Sequence, residues 1–112
     1  MSLRGRDAEE AAAALLQARG LALVRRNYRC RFGEIDLIMR DAGTLVFVEV
    51  RSRSHPDFGG AAASIDTAKQ ARLIRAARHY LATLDRTPPC RFDAVVFDAR
   101  GQAQWIRSAF DA

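Results

Sequence analysis

Two short apolar segments of this chain each enclose carboxylates: Gly33-Glu34-Ile35-Asp36-Leu37-Ile38 and Val46-Phe47-Val48-Glu49-Val50-Arg51. Charges are kept out of strand interiors unless they are paired or bind something. Between the segments, Asp41-Ala42-Gly43-Thr44 reads as a hairpin with a two-residue loop, Gly43 supplying φ > 0. In that register Asp36 lies directly opposite Glu49, and Glu34 opposite Arg51. Like charges at opposed positions repel, their Cβ atoms about 5 Å apart. A divalent cation between them converts the repulsion into a binding site. Two blander readings stay open. Nearby arginines can neutralise the acids, or a one-residue slip can put them on opposite faces.

Strand alternation places Glu34, Asp36 and Ile38 on one face, beside Phe47, Glu49 and Arg51. A tight turn at Phe32-Gly33 adds Arg29 and Arg31 to that face. An Asp and a Glu on neighbouring strands, followed two residues later by a cation, suit Mg2+- or Mn2+-assisted hydrolysis of a phosphodiester. The hard metal takes carboxylate oxygens and keeps waters, one of which becomes the nucleophile. Arg51 is placed to hold that water or the scissile phosphate.

The elements that must position these groups follow from the surrounding pattern. A first helix is expected over Asp7–Arg19, with Asp7 as N-cap, Glu10 closing a capping box and Gly20 as the stop. Glu9 shares a helical face with Ala12, Ala13 and Leu16, so it either points at the sheet or serves the helix dipole in the first turn. Leu21–Phe32 alternates, with Arg25, Asn27, Arg29 and Arg31 opposite Val24, Tyr28, Cys30 and Phe32. Strands follow over Glu34–Arg40 and Leu45–Arg53. Ser54–Ala63 reads as a loop, and Gly59-Gly60 in it is no phosphate-loop motif. A second helix runs over Ile65–Leu84 with Ser64 as N-cap. Its apolar stripe is Leu73, Ala77, Tyr80, Leu81 and Leu84; Lys69, Arg72, Arg75 and Arg78 lie on its polar side. Arg91–Asp98 and Gln104–Arg107 complete an α-β-β-β-α-β-β order: a mixed sheet flanked by helices, in one domain over residues 1–112.

The net charge of +5 favours a polyanionic partner, most often nucleic acid. Lys69 is the only lysine among 18 basic residues, which points mainly to a coding preference for arginine. Arg29, Arg31, Arg53 and Arg72 are the expected phosphate contacts. No apolar run approaches the ~20 residues of a membrane span, and Met1–Asp7 lacks a signal-peptide apolar region. A cytoplasmic location is therefore expected. Cys30 and Cys90 read as reduced, buried thiols and not as zinc ligands. His55 and His79 lack partners at ligand spacing, and Trp105 and Tyr80 read as core. Asp93, inside an apolar strand, pairs with Arg91 or a helix N-terminus.

These motifs together resemble the PD-(D/E)xK nuclease superfamily, whose core is α-β-β-β-α-β. Ile35-Asp36 stands where the pattern has Pro-Asp, and Glu49-Val50-Arg51 where it has Glu-x-Lys. Within that superfamily nearly the whole chain resembles the uncharacterised bacterial YraN-type family. The matching blocks are Gly33–Ile38, Phe47–Arg51, Lys69 and Arg91-Phe92-Asp93. The resemblance implies a restriction-endonuclease-like fold related to Holliday junction resolvases, with Glu9, Asp36 and Glu49 as metal ligands. The reading is a nuclease acting on DNA (branched, nicked or single-stranded), with RNA as an alternative; a chain this small offers limited contact surface to a duplex, which makes a two-fold dimer a natural assembly. The chain departs from the pattern at Arg51, because a guanidinium does not give up its proton in proteins. Arg51 can orient phosphate but not act as general base. Lys69 supplies an amine if it reaches the cleft; otherwise it is a solvated helix residue. A nucleic-acid-binding or assembly module that has lost cleavage is the rival reading, and a purely structural ion-pair network is a third.

Overall fold

A computed structural model describes residues 5–52 and 65–112 of the chain. In chain order the elements are α1 (Gly5–Ala18), β1 (Ala22–Cys30), β2 (Gly33–Asp41), β3 (Thr44–Ser52), α2 (Thr67–Leu81), β4 (Cys90–Phe97) and β5 (Ala103–Phe110). The five strands form one sheet in the order β1-β2-β3-β4-β5. All neighbours are antiparallel except β3 and β4, which are parallel and joined through α2. This is a mixed α/β architecture consistent with a restriction-endonuclease-like core.

Each helix covers one sheet face. Ala8, Ala12, Ala13 and Leu16 of α1 pack on Leu37, Met39, Val46, Val48, Val95 and Phe97. Leu73, Ala76, Ala77 and Tyr80 of α2 pack on Tyr28, Ile35, Ile38, Phe47, Phe92 and Val96. The central strands β2 and β3 are covered on both faces, which explains their near-continuous apolar character.

The helix boundaries shift from the expected ones. α1 begins at Gly5, so Asp7 lies inside the first turn and is not the cap. It stops at Gly20, whose φ of 97° and neighbouring Leu21 N–H to Leu16 C=O bond make a left-handed C-terminal cap. α2 starts at Thr67, where the Asp66 carboxylate accepts the Lys69 N–H at 2.8 Å. It ends at Leu81, three residues before the expected Leu84. The expected cap Ser64, the loop with His55 and Gly59-Gly60, and Arg53 lie outside the described residues.

The hairpin register is as expected, from Asp41↔Thr44 to Leu37↔Val48. Its left-handed residue is Ala42, at φ 53°, and not Gly43. β1 carries a register shift between Leu23 and Arg25, which leaves Val24 exposed instead of turned inward. Cys30 is half-buried and Cys90 exposed; the expected burial of both thiols does not hold for Cys90. β5 extends to Phe110, beyond the expected Arg107. Asp93, fully buried, accepts from Arg91 Nε at 3.1 Å, Trp105 Nε1 at 3.0 Å and the Ser108 N–H at 2.9 Å. It is the structural acid of the sheet.

Candidate metal centre

The ladder between β2 and β3 stops at Leu37↔Val48. Asp36 and Glu49 are the next residues on each strand. The Asp36 carboxylate accepts the Val50 N–H at 2.8 Å, so a side chain takes the place of a ladder partner. Strict alternation also ends here. Ile35 and Ile38 both pack in the α2-side core, whereas Leu37 packs in the α1-side core. One residue in this stretch is out of step with the two faces. The partner position on β1 is Asn27, held at φ 50°, and the Asn27–Asp36 pair is missing from an otherwise regular run. Asn is among the few residues that tolerate this conformation. The expected sharing of one face by Glu34, Asp36 and Ile38 is therefore replaced by a local twist. It turns Asp36 toward α1 while keeping it beside Glu49.

Three carboxylates converge on this twist, and a fourth, Glu49, neighbours Asp36 from the other side. Oxygens of Glu9, Glu34 and Asp36 lie within 4.8 Å of one another. The Glu49 carboxylate is close enough for its charge to act on Asp36. Burial pushes the Asp36 carboxyl up, the Glu49 charge adds to this, and the Val50 N–H opposes it; the result is about 7. Glu9 is raised as well, first by burial and then by the charges of Asp36 and Glu34, against the Asn27 amide that favours its ionised form. Asn27 Nδ2 donates to Glu9 at 2.8 Å and reaches Glu34 at 3.4 Å. The other Glu34 oxygen accepts from Arg29 Nε at 2.5 Å.

Glu49 is 4% exposed and faces α2. Its Oε2 lies 3.5 Å from Lys69 Nζ and 3.7 Å from Arg51 Nε. Lys69 thus reaches the cleft instead of standing in solvent. The start of α2 explains this: with Asp66 as cap, Lys69 falls in the first helical turn, against the end of β3.

The geometry groups Glu9 with Asp36, and Glu49 with Arg51 and Lys69, and adds two residues not assigned from sequence. Glu34, expected opposite Arg51, instead joins Glu9 and Asp36. Asn27 was placed on a basic strand face; its signal was a lone amide among arginines, at a position able to take a left-handed turn. Arg29 is engaged with Glu34 although its side chain is 77% exposed. Arg31 and Arg72 are exposed near the same end of the sheet.

The donor set is chemically that of a hard divalent cation. Mg2+ holds oxygens at about 2.1 Å, so three carboxylates this close need only small rotations to share one ion. A half-buried acid whose pKa is raised to about 7 beside other acids is a group that a cation would keep ionised. A cavity of about 470 Å3, lined by Arg6, Glu9, Glu10, Arg26 and Asn27, opens beside the acids. A larger one of about 650 Å3 lies by the hairpin loop, around Gly43, Leu45, Tyr80 and Leu84, away from this chemistry.

Comparison with known proteins gives one consistent result. The description of uncharacterised protein family UPF0102 matches residues 8–97. A UPF0102 protein of Nitrosomonas europaea is 62% identical over 110 residues, covering 96% of this chain and 93% of that one. One of Cupriavidus metallidurans is 62% identical over 109 residues, covering 96% and 81%. One of Nitrosospira multiformis is 56% identical over 113 residues, covering 99% and 95%.

Proposed function

We propose that this chain, which belongs to uncharacterised protein family UPF0102, is a Mg2+- or Mn2+-dependent nuclease that hydrolyses phosphodiester bonds of DNA. The observation that carries this reading is the position of Asp36. It sits where β2 and β3 part, within one cluster with Glu9 and Glu34 on one side and Glu49 on the other.

Glu9, Glu34, Asp36 and Glu49 are the residues to hold the cation, with Asp36 common to both sides. When bound, the ion supplies a Lewis acid for the phosphate and an acidified water as nucleophile. The Val50 N–H fixes one oxygen of Asp36, which sets the direction of the other. Asn27 orients Glu9 in the same way. Lys69 and Arg51 share one oxygen of Glu49 and divide the work that a single lysine does in the resembling pattern. The Lys69 ammonium, paired with Glu49, orients the attacking water or the scissile phosphate. The Arg51 guanidinium stabilises charge on the phosphate. Arg29, Arg31 and Arg72 supply phosphate contacts around the acids, and Arg53, outside the described residues, is proposed as a further one.

Cleavage assays with purified protein on linear, nicked, flapped and four-way-junction DNA test this. Cleavage is expected only with Mg2+ or Mn2+. Asp36→Asn and Glu49→Gln abolish it at nearly constant shape, while DNA binding persists because negative charge near phosphate is removed. Arg51→Lys retains activity, and Lys69→Met loses it. Binding without cleavage of any of these substrates favours the rival, a binding module.

A further inference from the structure

Every other described Phe, Tyr and Trp packs into one of the two cores; among the described residues Phe32 alone belongs to neither. It lies in the turn between β1 and β2, half-buried, two residues before Glu34 of the acid cluster. The Arg31 guanidinium sits over its ring, 4.8 Å from the centroid. The exposed imidazole of His79 meets the same ring at 6.1 Å, tilted by 65°. His79 is held in place by the Tyr28 hydroxyl at its Nδ1. Two helical turns earlier on α2, exposed Arg72 comes alongside Gly33: a Cβ on that glycine would stand 3.8 Å from the Arg72 Cβ. Aromatic and cationic groups are thus interleaved on one patch. Along the strand, Phe32 is at most about 13 Å from Asp36.

We infer that Phe32 and His79, flanked by Arg31 and Arg72, form a stacking platform for an unpaired base, so that the site takes nucleic acid with a single-stranded segment beside the scissile bond. A continuous duplex offers phosphates to Arg31 and Arg72 but nothing to Phe32, because its base faces are already stacked. A splayed base exposes both faces, and aromatic rings with a neighbouring guanidinium are the groups that capture it. The Phe32 ring, outside both cores and two residues from Glu34, has a function in the single-stranded case only.

This inference rests on the hydrolase reading only for the scissile bond, and its test is independent of it. Affinity of the full chain is measured with metal chelated, for a labelled oligothymidine and for a duplex of equal length. The oligothymidine is expected to bind more tightly. Phe32→Ala weakens it at least about fivefold and leaves the duplex unchanged. Phe32→Tyr keeps the affinity, which separates stacking from misfolding. Arg72→Ala weakens both forms and lowers the salt dependence. Equal losses on both forms in Phe32→Ala, or an oligothymidine bound no better than duplex, overturn the platform. A Phe32-dependent affinity with no cleavage sinks the hydrolase and keeps the platform; metal-dependent cleavage indifferent to Phe32→Ala does the reverse.

Discussion

The carboxylate of Asp36 accepts the backbone N–H of Val50 at 2.8 Å, one residue beyond Glu49. One side chain therefore does two jobs: it closes the ladder where β2 and β3 separate, and it stands at the centre of the acids. The two jobs respond differently to mutation. Asp36→Asn keeps an oxygen for the Val50 N–H and removes the charge. Asp36→Ala leaves a half-buried N–H without its acceptor, a cost of about 1–3 kcal/mol. Chemical denaturation should show Asp36→Ala less stable than Asp36→Asn, with both variants deficient in cation binding.

The raised carboxyl of Asp36 also dictates a pH dependence. Its folded value of about 7 exceeds the ordinary 3.8, so the folded chain holds the extra proton. That stabilisation is complete below about pH 4 and is lost as pH rises through about 7. Measured without metal, stability should fall by a few kcal/mol between these limits and then level off. Asp36→Asn should flatten this slope and be more stable than the natural chain at pH 8. A natural chain whose stability rises steadily from pH 4 to 7 contradicts this electrostatic picture.

The hairpin register was legible because a two-residue loop between Asp41 and Thr44 leaves no freedom in pairing. The helix faces were legible from their apolar spacing. What could not be read was the twist at Asp36. Alternation assumes an unbroken pleat, and the break depends on Asn27 adopting φ 50° on a different strand. For the same reason Glu34 looked like a partner of Arg51, although it lies with Glu9, Asn27 and Arg29. Lys69 was ambiguous because its direction depends on where α2 starts. Asp66 as cap, instead of Ser64, puts Lys69 in the first turn, against Glu49.

Asp93 provides a contrast between a structural and a functional acid. It is fully buried and saturated by Arg91, Trp105 and Ser108, and Arg91 in turn reaches Asp41 at 3.0 Å. None of these partners belongs to the acid cluster. Asp93→Ala leaves the half-buried Arg91 guanidinium with Asp41 and takes the acceptor from an indole N–H and a backbone N–H, at a cost of about 3–5 kcal/mol. Thermal denaturation should show a midpoint lower by at least about 10 °C. Cation affinity of the protein that remains folded should be unchanged.

On the proposed function, the acids around Asp36 form a divalent-cation site. Calorimetric titration of the natural chain with Mn2+ tests it most directly, run at pH 8 and pH 5.5 beside Asp36→Asn and Glu49→Gln. Saturable binding is expected at pH 8. It should be markedly weaker at pH 5.5, where a proton competes for Asp36, and lost or reduced at least tenfold in Asp36→Asn. Glu49→Gln should weaken it as well. Mn2+ uptake equal in the natural chain and in Asp36→Asn, or none at pH 8, would contradict the account.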